Sequence, residues 1–338
     1  MPPRSQTLSD AMTEYELHRK ALGVTPQSLN NEMRFLRLLL AHVGNIQLRN
    51  MRDRHVDEFF LTRQERLATS TWNHELSMAK TFFKYCERKR WFGPEGNPIA
   101  HRKGRKFTPR PRLRIPATEF PRLLDCAEDP RDRAVVALGI YLLMRQSEIQ
   151  ALRVGHVNLP TGEVSVEIPK TRQRDVMPIS EELDTELRRW LTAYTEDLGR
   201  PLASTDPLIP ARHRSRWGEE PPSRYNPAQP MFRPYQAAQR ALADAGYDMR
   251  DPSTGKSNAE GVHTLRRSAA RAVFDQLVDG GYDGALRVVQ SLLHHQNSEM
   301  TERYLGIELD VKRRDEMFKG KAMFAKPADN VVSLRRAE

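Results

Sequence analysis

Residues 133–152, RAVVALGIYLLMRQSEIQAL, decide the fold of the larger part of this chain. From Ala134 to Met144 every position is apolar, aromatic or glycine, and a helix apolar on all sides must be buried on all sides. Arg131–Met144 is therefore expected to be a core helix, with Arg145 at its end. Taken alone, Arg145 reads as a cation complementing the negative end of the helix dipole. Glu148 follows three residues later, placed either to orient that guanidinium or Lys170, or as a plain helix residue.

Downstream, Val164–Pro169, the polar turn Lys170–Arg174 and Val176–Ile179 predict a hairpin with a basic turn. A helix is expected over Glu181–Tyr194, then a Pro-rich irregular stretch over 201–233. Helical patterns resume near 234–246, 263–279, 283–294 and 299–305, with a charged helix near 308–318. Upstream, the first hundred residues show helical spacing only. Leu36, Leu39, Leu40 and Val43 follow a Thr25-Pro26 start signal. Val56, Phe59, Phe60 and Leu61 form a second stripe, and Leu76, Ala79, Phe82, Phe83 and Cys86 a third that Gly93-Pro94 and Gly96-Asn97-Pro98 terminate. The expected fold is mostly α with a small β-sheet (α+β): a bundle of four or five helices over 1–100, a linker over 101–116, a second domain over 117–322 and a tail over 323–338.

Composition limits the function. The chain has 338 residues and a formal net charge of +10, with no run apolar enough to span a bilayer. With two cysteines, Cys86 and Cys126, neither a disulfide framework nor an all-Cys zinc site can be built. A soluble, reduced, cytoplasmic protein is expected. The charge is uneven: residues 1–100 carry +4, residues 101–114 carry +7 and the remainder −1. The segment HRKGRKFTPRPRLR holds Arg102, Lys103, Arg105, Lys106, Arg110, Arg112 and Arg114 without one acid. Its composition predicts an extended segment that does not pack, either a solvated tether or a strap along a nucleic-acid backbone.

Several polar residues recur where the helical pattern does not require them. Lys170 sits at the hairpin turn, His263 and Arg266 share a helix face, His295 follows an apolar helix, and Tyr304 stands nine residues further on. Singly, each has a structural explanation. Together they resemble the tyrosine recombinase, or phage integrase, family. Leu143-Met144-Arg145-Gln146-Ser147-Glu148-Ile149 matches its Gly-Leu-Arg-x-Ser-Glu-Ile box except at the leading Gly, and Leu152 matches a spaced leucine. Lys170 matches the strand-turn lysine. His263-Thr264-Leu265-Arg266 matches the His-x-Leu-Arg box, and Leu293-His294-His295 the Leu-Gly-His box with His294 in place of Gly. His156 stands where the family usually has Asp. Thr71-Trp72-Asn73 and Asn97-Pro98 resemble the family's core-binding domain.

The resemblance implies a core-binding domain, a catalytic domain and no separate arm-site-binding domain. It implies a site-specific recombinase acting through a 3′-phosphotyrosine and a Holliday junction, in integration, excision or resolution. Arg145, Lys170, His263, Arg266, His295 and Tyr304 would be catalytic and Glu148 supporting, with no cofactor and no metal. Its partners would be double-stranded DNA with paired inverted half-sites, three further copies in a tetramer with the C-terminal segment docked in trans, and an accessory directionality factor. A bacterial or phage origin and nucleoid association would follow. Two other functions fit parts of the pattern: a type IB topoisomerase and a non-catalytic DNA-binding regulator. The chemistry suits phosphodiester cleavage: two guanidiniums can fork onto nonbridging oxygens while a phenol attacks phosphorus.

Overall fold

The computed structural model describes residues 6–106, 112–168, 173–213, 222–248, 257 and 259–307. The chain divides into two compact units, Met1–Arg110 and Pro111–Glu338.

The first unit holds α1 (Leu8–Ala21), α2 (Pro26–Val43), α3 (Asp53–Gln64) and α4 (Thr69–Arg88). Short polar side chains start the first two helices. Thr7 and Asp10 form a reciprocal capping box, and Thr25 accepts the Ser28 N–H ahead of Pro26. The core is aromatic: Tyr15 meets Phe82 edge-on, and Phe60 meets both Phe59 and Trp72 edge-on. Glu32, buried there, accepts from Tyr15 Oη and from Nε and Nη2 of Arg19.

The first part of the basic segment packs, contrary to expectation from its composition. Arg102 pairs with Asp57 and stacks over Phe60, while Arg105 lies 4.4 Å from the centre of the Trp72 ring. Asn73 accepts the Arg105 N–H (2.8 Å) and donates to the Arg105 carbonyl (2.9 Å), so its amide replaces a neighbouring strand. Aromatic faces hold guanidiniums where an aliphatic core would not, and composition alone does not show which rings lie opposite. Lys103 and Lys106 stay exposed.

The second unit runs α5 (Phe120–Asp125), α6 (Pro130–Tyr141), α7 (Gln146–Ala151), β1 (Val157–Asn158), β2 (Glu163–Ile168), β3 (Gln173–Pro178) and α8 (Glu181–Leu198). It continues with β4 (Pro210–Arg212), β5 (Tyr225–Pro230), α9 (Pro234–Asp244), α10 (Val262–Leu277), α11 (Tyr282–Leu292) and α12 (Ser298–Leu305). β1, β2 and β3 form one antiparallel sheet, with Ile168 opposite Gln173 and Val166 opposite Asp175. Residues 201–233 are not wholly irregular: β4 and β5 form a two-stranded ladder with a bulge at Pro210, and its three prolines suit an edge. The expected helix near 308–318 and the tail lie outside the described residues.

α6 is the spine, packed by α5, α8, α9 and α10. Gly139 brings it close to α10, since a Cβ there would lie 3.1 Å from Leu265. One boundary differs from the sequence expectation. α6 stops at Tyr141, Leu143 takes a left-handed conformation (φ 50°), and Arg145 is the extended N-cap of α7. Arg145 therefore begins a helix and does not complement the end of one. An unbroken apolar run carries no signal for a reversal that the tertiary packing imposes.

Gly261 caps α10 at φ +63°, and a Cβ there would sit 2.5 Å from the Tyr235 carbonyl. Gly261→Ala is expected to destabilise the protein by about 2 kcal/mol or more, from left-handed strain plus a backbone clash. Urea unfolding of the full chain measures this, and an unchanged midpoint would contradict it.

Candidate active site

The site is built on two carbonyls and one carboxylate. α11 ends in a Schellman arrangement: His294 N–H donates to Ser291 O and His295 N–H to Gln290 O, with His294 left-handed at φ 49°. This leaves the Leu293 carbonyl unspent by the helix. The turn at Leu143 likewise frees the Leu143 carbonyl. Both left-handed residues occupy the position just past a helix C-cap, which favours glycine because a Cβ there costs ~1 kcal/mol or more. They are also the two positions where this sequence lacks the glycine of the pattern it resembles.

Arg145 and Arg266 converge on these acceptors. Arg145 Nη2 donates to Leu293 O (2.9 Å), and Arg266 Nη2 donates to the same oxygen (2.6 Å). Arg266 Nη1 donates to Leu143 O. Beneath them, Glu148 Oε2 accepts the Arg145 backbone N–H (2.6 Å) and Oε1 accepts Arg145 Nη1 (2.7 Å). Glu148 Oε2 also lies 3.4 Å from Arg266 Nη1. The side chains of Glu148 and Arg266 are each 1% exposed, whereas that of Arg145 is 27% exposed. Burial, then the nearby Arg145 charge, push the Arg266 pKa down to about 10, which leaves it cationic at neutral pH.

Tyr304 lies on α12 beside Arg266. Its hydroxyl oxygen is buried and makes no hydrogen bond of normal geometry. Burial pushes its pKa up, against the opposing pull of Arg266, Arg267 and Arg145, so the phenol is protonated at neutral pH. His295 packs edge-on against the Tyr304 ring at 5.3 Å, and its Nδ1 is 3.1 Å from the buried Thr301 hydroxyl. His294 turns elsewhere, with Nε2 2.9 Å from Asp175 Oδ2 on β3. His263 stays exposed one turn before Arg266. Desolvation by the adjoining protein, then the Arg266 charge, hold its pKa below the ordinary value, which favours neutral imidazole.

The structure thus brings Arg145, Glu148, Arg266, His295 and Tyr304 together, with His263 on the Arg266 helix. Lys170 and Arg110 lie outside the described residues. Of the basic segment, Arg112 stands 4.0 Å from Glu260. Arg114 donates to Leu305 O at the C-terminal end of α12 (2.5 Å), so the last residue of the expected DNA strap holds the end of the tyrosine's helix. His156 accepts the Arg153 N–H within a short 3₁₀ turn, a purely local contact.

Sequence reasoning missed Arg267. It is buried beside Arg266, donates to Glu260 (3.0 Å), and adds a charge that lowers the Tyr304 and His263 pKa values. The adjacent Arg266-Arg267 pair was the available signal. Asp175, Thr301 and the two carbonyls left no signal, because the fold alone brings them in. Among the described residues, no cluster of three His, Cys, Asp or Glu side chains is placed to hold a metal, and no helix is long and apolar enough to cross a membrane.

The phage integrase family profile matches residues 114–308, more than half of the chain. Similar curated proteins are the tyrosine recombinase XerC of Lactobacillus delbrueckii subsp. bulgaricus (25% identity, covering 76% of this chain and 78% of that protein) and XerC of Salmonella typhi (27%, covering 84% and 86%). Among solved structures, lambda integrase residues 75–356 bound to DNA match with a TM-score of 0.66 at 16% identity, covering 94% of this chain and all of that one. A Tn1549 transposon integrase complex with a circular-intermediate DNA matches at 0.63 and 14%, covering 89% of this chain and 95% of that one. The chain belongs to the phage integrase family of tyrosine recombinases, enzymes of site-specific DNA recombination.

Glu148 is the acid beneath both guanidiniums, so Glu148→Ala is expected to destabilise by about 3–5 kcal/mol, the usual cost of leaving buried charge unpaired. Glu148→Gln keeps one acceptor and is expected to lose about 1–3 kcal/mol. Urea unfolding of both variants checks the order, and equal losses would show that packing, not charge, dominates.

Proposed function

We propose that this recombinase cleaves each strand by attack of Tyr304 on phosphorus, forming a 3′-phosphotyrosine and releasing a 5′-hydroxyl. One observation carries the assignment: the Tyr304 hydroxyl is buried against the Arg266 guanidinium, beside a second guanidinium held by the same carbonyl. Arg145 and Arg266 fork onto the nonbridging oxygens, exchanging backbone acceptors for a phosphate. Neutral His263 is suited to accept a proton on the attack side. His295 donates to a phosphate oxygen, and Lys170 protonates the departing 5′ oxygen. Glu148 fixes both guanidiniums and touches no substrate. The covalent intermediate conserves the bond energy, so rejoining needs no nucleotide.

The finer assignments follow the same reading. Paired inverted half-sites, a tetramer with the C-terminal segment docked in trans and exchange through a Holliday junction fit strand transfer between two duplexes. A lambda integrase tetramer on a Holliday junction has the same fold as this chain (TM-score 0.65, 17% identity). Nucleoid association and an accessory directionality factor complete the proposal. The complete nucleophile-and-cation set argues against a non-catalytic regulator, and the XerC relatives favour recombination over topoisomerase activity.

Tyr304→Phe is expected to bind its site with unchanged affinity and to form no covalent adduct on a nicked suicide substrate. Adduct formation by that variant would refute the nucleophile. For the basic segment, exposed Lys103 and Lys106 are assigned to phosphates, whereas Arg102 and Arg105 also serve packing. Replacing both lysines by Ala should lower the salt-dependence slope of binding by about 1.8, near 0.9 per phosphate contact, with cleavage in bound complexes intact. An unchanged slope would show that neither lysine meets DNA.

A further inference from the structure

His294 is the least expected residue of the site. Its backbone is left-handed at φ 49°, where glycine is the unstrained choice, yet a bulky imidazole stands there with its side chain 10% exposed. The ring reaches across to β3, 2.9 Å from the Asp175 carboxylate. Its Nδ1 is buried and has no hydrogen-bond partner. A bare ring nitrogen tolerates that better than an N–H, so Nε2 carries the proton and donates to Asp175. No such contact is open to glycine.

The pair joins two parts of the site that are distant in sequence. His294 lies between Leu293, whose carbonyl holds both guanidiniums, and His295, which packs on Tyr304. Asp175 lies on β3, paired with Val166 of β2, and these two strands are the arms of the hairpin whose connecting residues include Lys170. The sheet has hydrophobic anchors at Val164, Val166, Ile168 and Met177, whereas Val176, next to Asp175, is 56% exposed. The hydrogen bond therefore ties β3 to the turn between α11 and α12.

We propose that His294 and Asp175 are positioning residues that hold the general-acid hairpin in register with the α11–α12 turn. This rests on the reading of Lys170 as general acid. Tyr304 Oη gives its proton to His263 as it forms a bond to phosphorus, the bond from phosphorus to O5′ breaks, and the Lys170 ammonium gives its proton to O5′. A bridging 5′-sulfur in place of O5′ leaves as a thiolate and needs no such proton.

The test compares single-turnover cleavage of an ordinary and a 5′-bridging phosphorothioate suicide substrate by the full chain. His294→Gly suits the backbone and Asp175→Ala is at a half-exposed position, so neither threatens folding. Both are expected to bind DNA normally, to cleave the ordinary substrate about tenfold more slowly, as a modest misplacement would, and to recover the wild-type rate on the sulfur substrate. Asp175→Asn, which keeps an acceptor, should lose little. If Lys170→Ala recovers on the sulfur substrate but the other two do not, or if they show no defect, the positioning role is overturned alone. If Lys170→Ala fails to recover, the general-acid reading itself falls, and the proposal with it.

Discussion

Two guanidiniums share one carbonyl oxygen, and everything else in the catalytic unit accommodates that fact. Arg145 and Arg266 both donate to Leu293 O, which places two like charges within a few ångströms of each other in a largely buried setting. Such a pair repels strongly unless an anion sits close by. Glu148 supplies it, nearly fully buried, and satisfies the Arg145 backbone N–H as well. The same short sequence therefore starts α7 and offsets one of the two charges, so helix formation and electrostatic balance cannot be separated there.

The resting arrangement holds the site ready without activating it. The guanidiniums rest on backbone carbonyls, which a phosphate can replace with stronger, charge-assisted bonds. Burial keeps the Tyr304 phenol protonated even though three cations pull the other way. Bringing a phosphodiester dianion-like transition state between those cations and the phenol would supply the missing negative charge, and catalysis by such preorganised cations needs little rearrangement at the moment of reaction. Arg114 and Arg271 both donate to the Leu305 carbonyl at the C-terminal end of α12, so the end of the helix that bears Tyr304 is held by two guanidiniums.

Net charge was a partial guide. The basic segment carries most of the excess, but Arg102 and Arg105 are committed to Asp57, Phe60 and Trp72. Arginine can do this because its flat cation stacks on rings; lysine keeps its charge in water. The exposed lysines, a small minority of the basic residues, are thus the clearer candidates for phosphate contact. In the second unit, formally near neutral, the proposed chemistry rests on a few converging cations and not on overall charge.

The helical character of both units, the β2–β3 hairpin and the residues Arg145, Glu148, Arg266, His295 and Tyr304 were all legible in the sequence. Apolar periodicity reports burial directly, and the candidate site residues stood out through their resemblance to the tyrosine recombinase boxes. The end of α6 at Tyr141 was not legible, because the reversal at Leu143 lies inside an unbroken apolar run and is stabilised by Arg266 from 123 residues away. Nor was the link from His294 to Asp175, the buried Arg267 or the packing of Arg105 on Trp72, since each joins elements whose separation in sequence carries no information about their distance in space. The sequence by itself determined the helical elements and nominated the residues that the fold gathers into one site. Only the tertiary structure decided which carbonyls hold the guanidiniums, because helix-end acceptors become available through backbone turns that packing, and not local preference, selects.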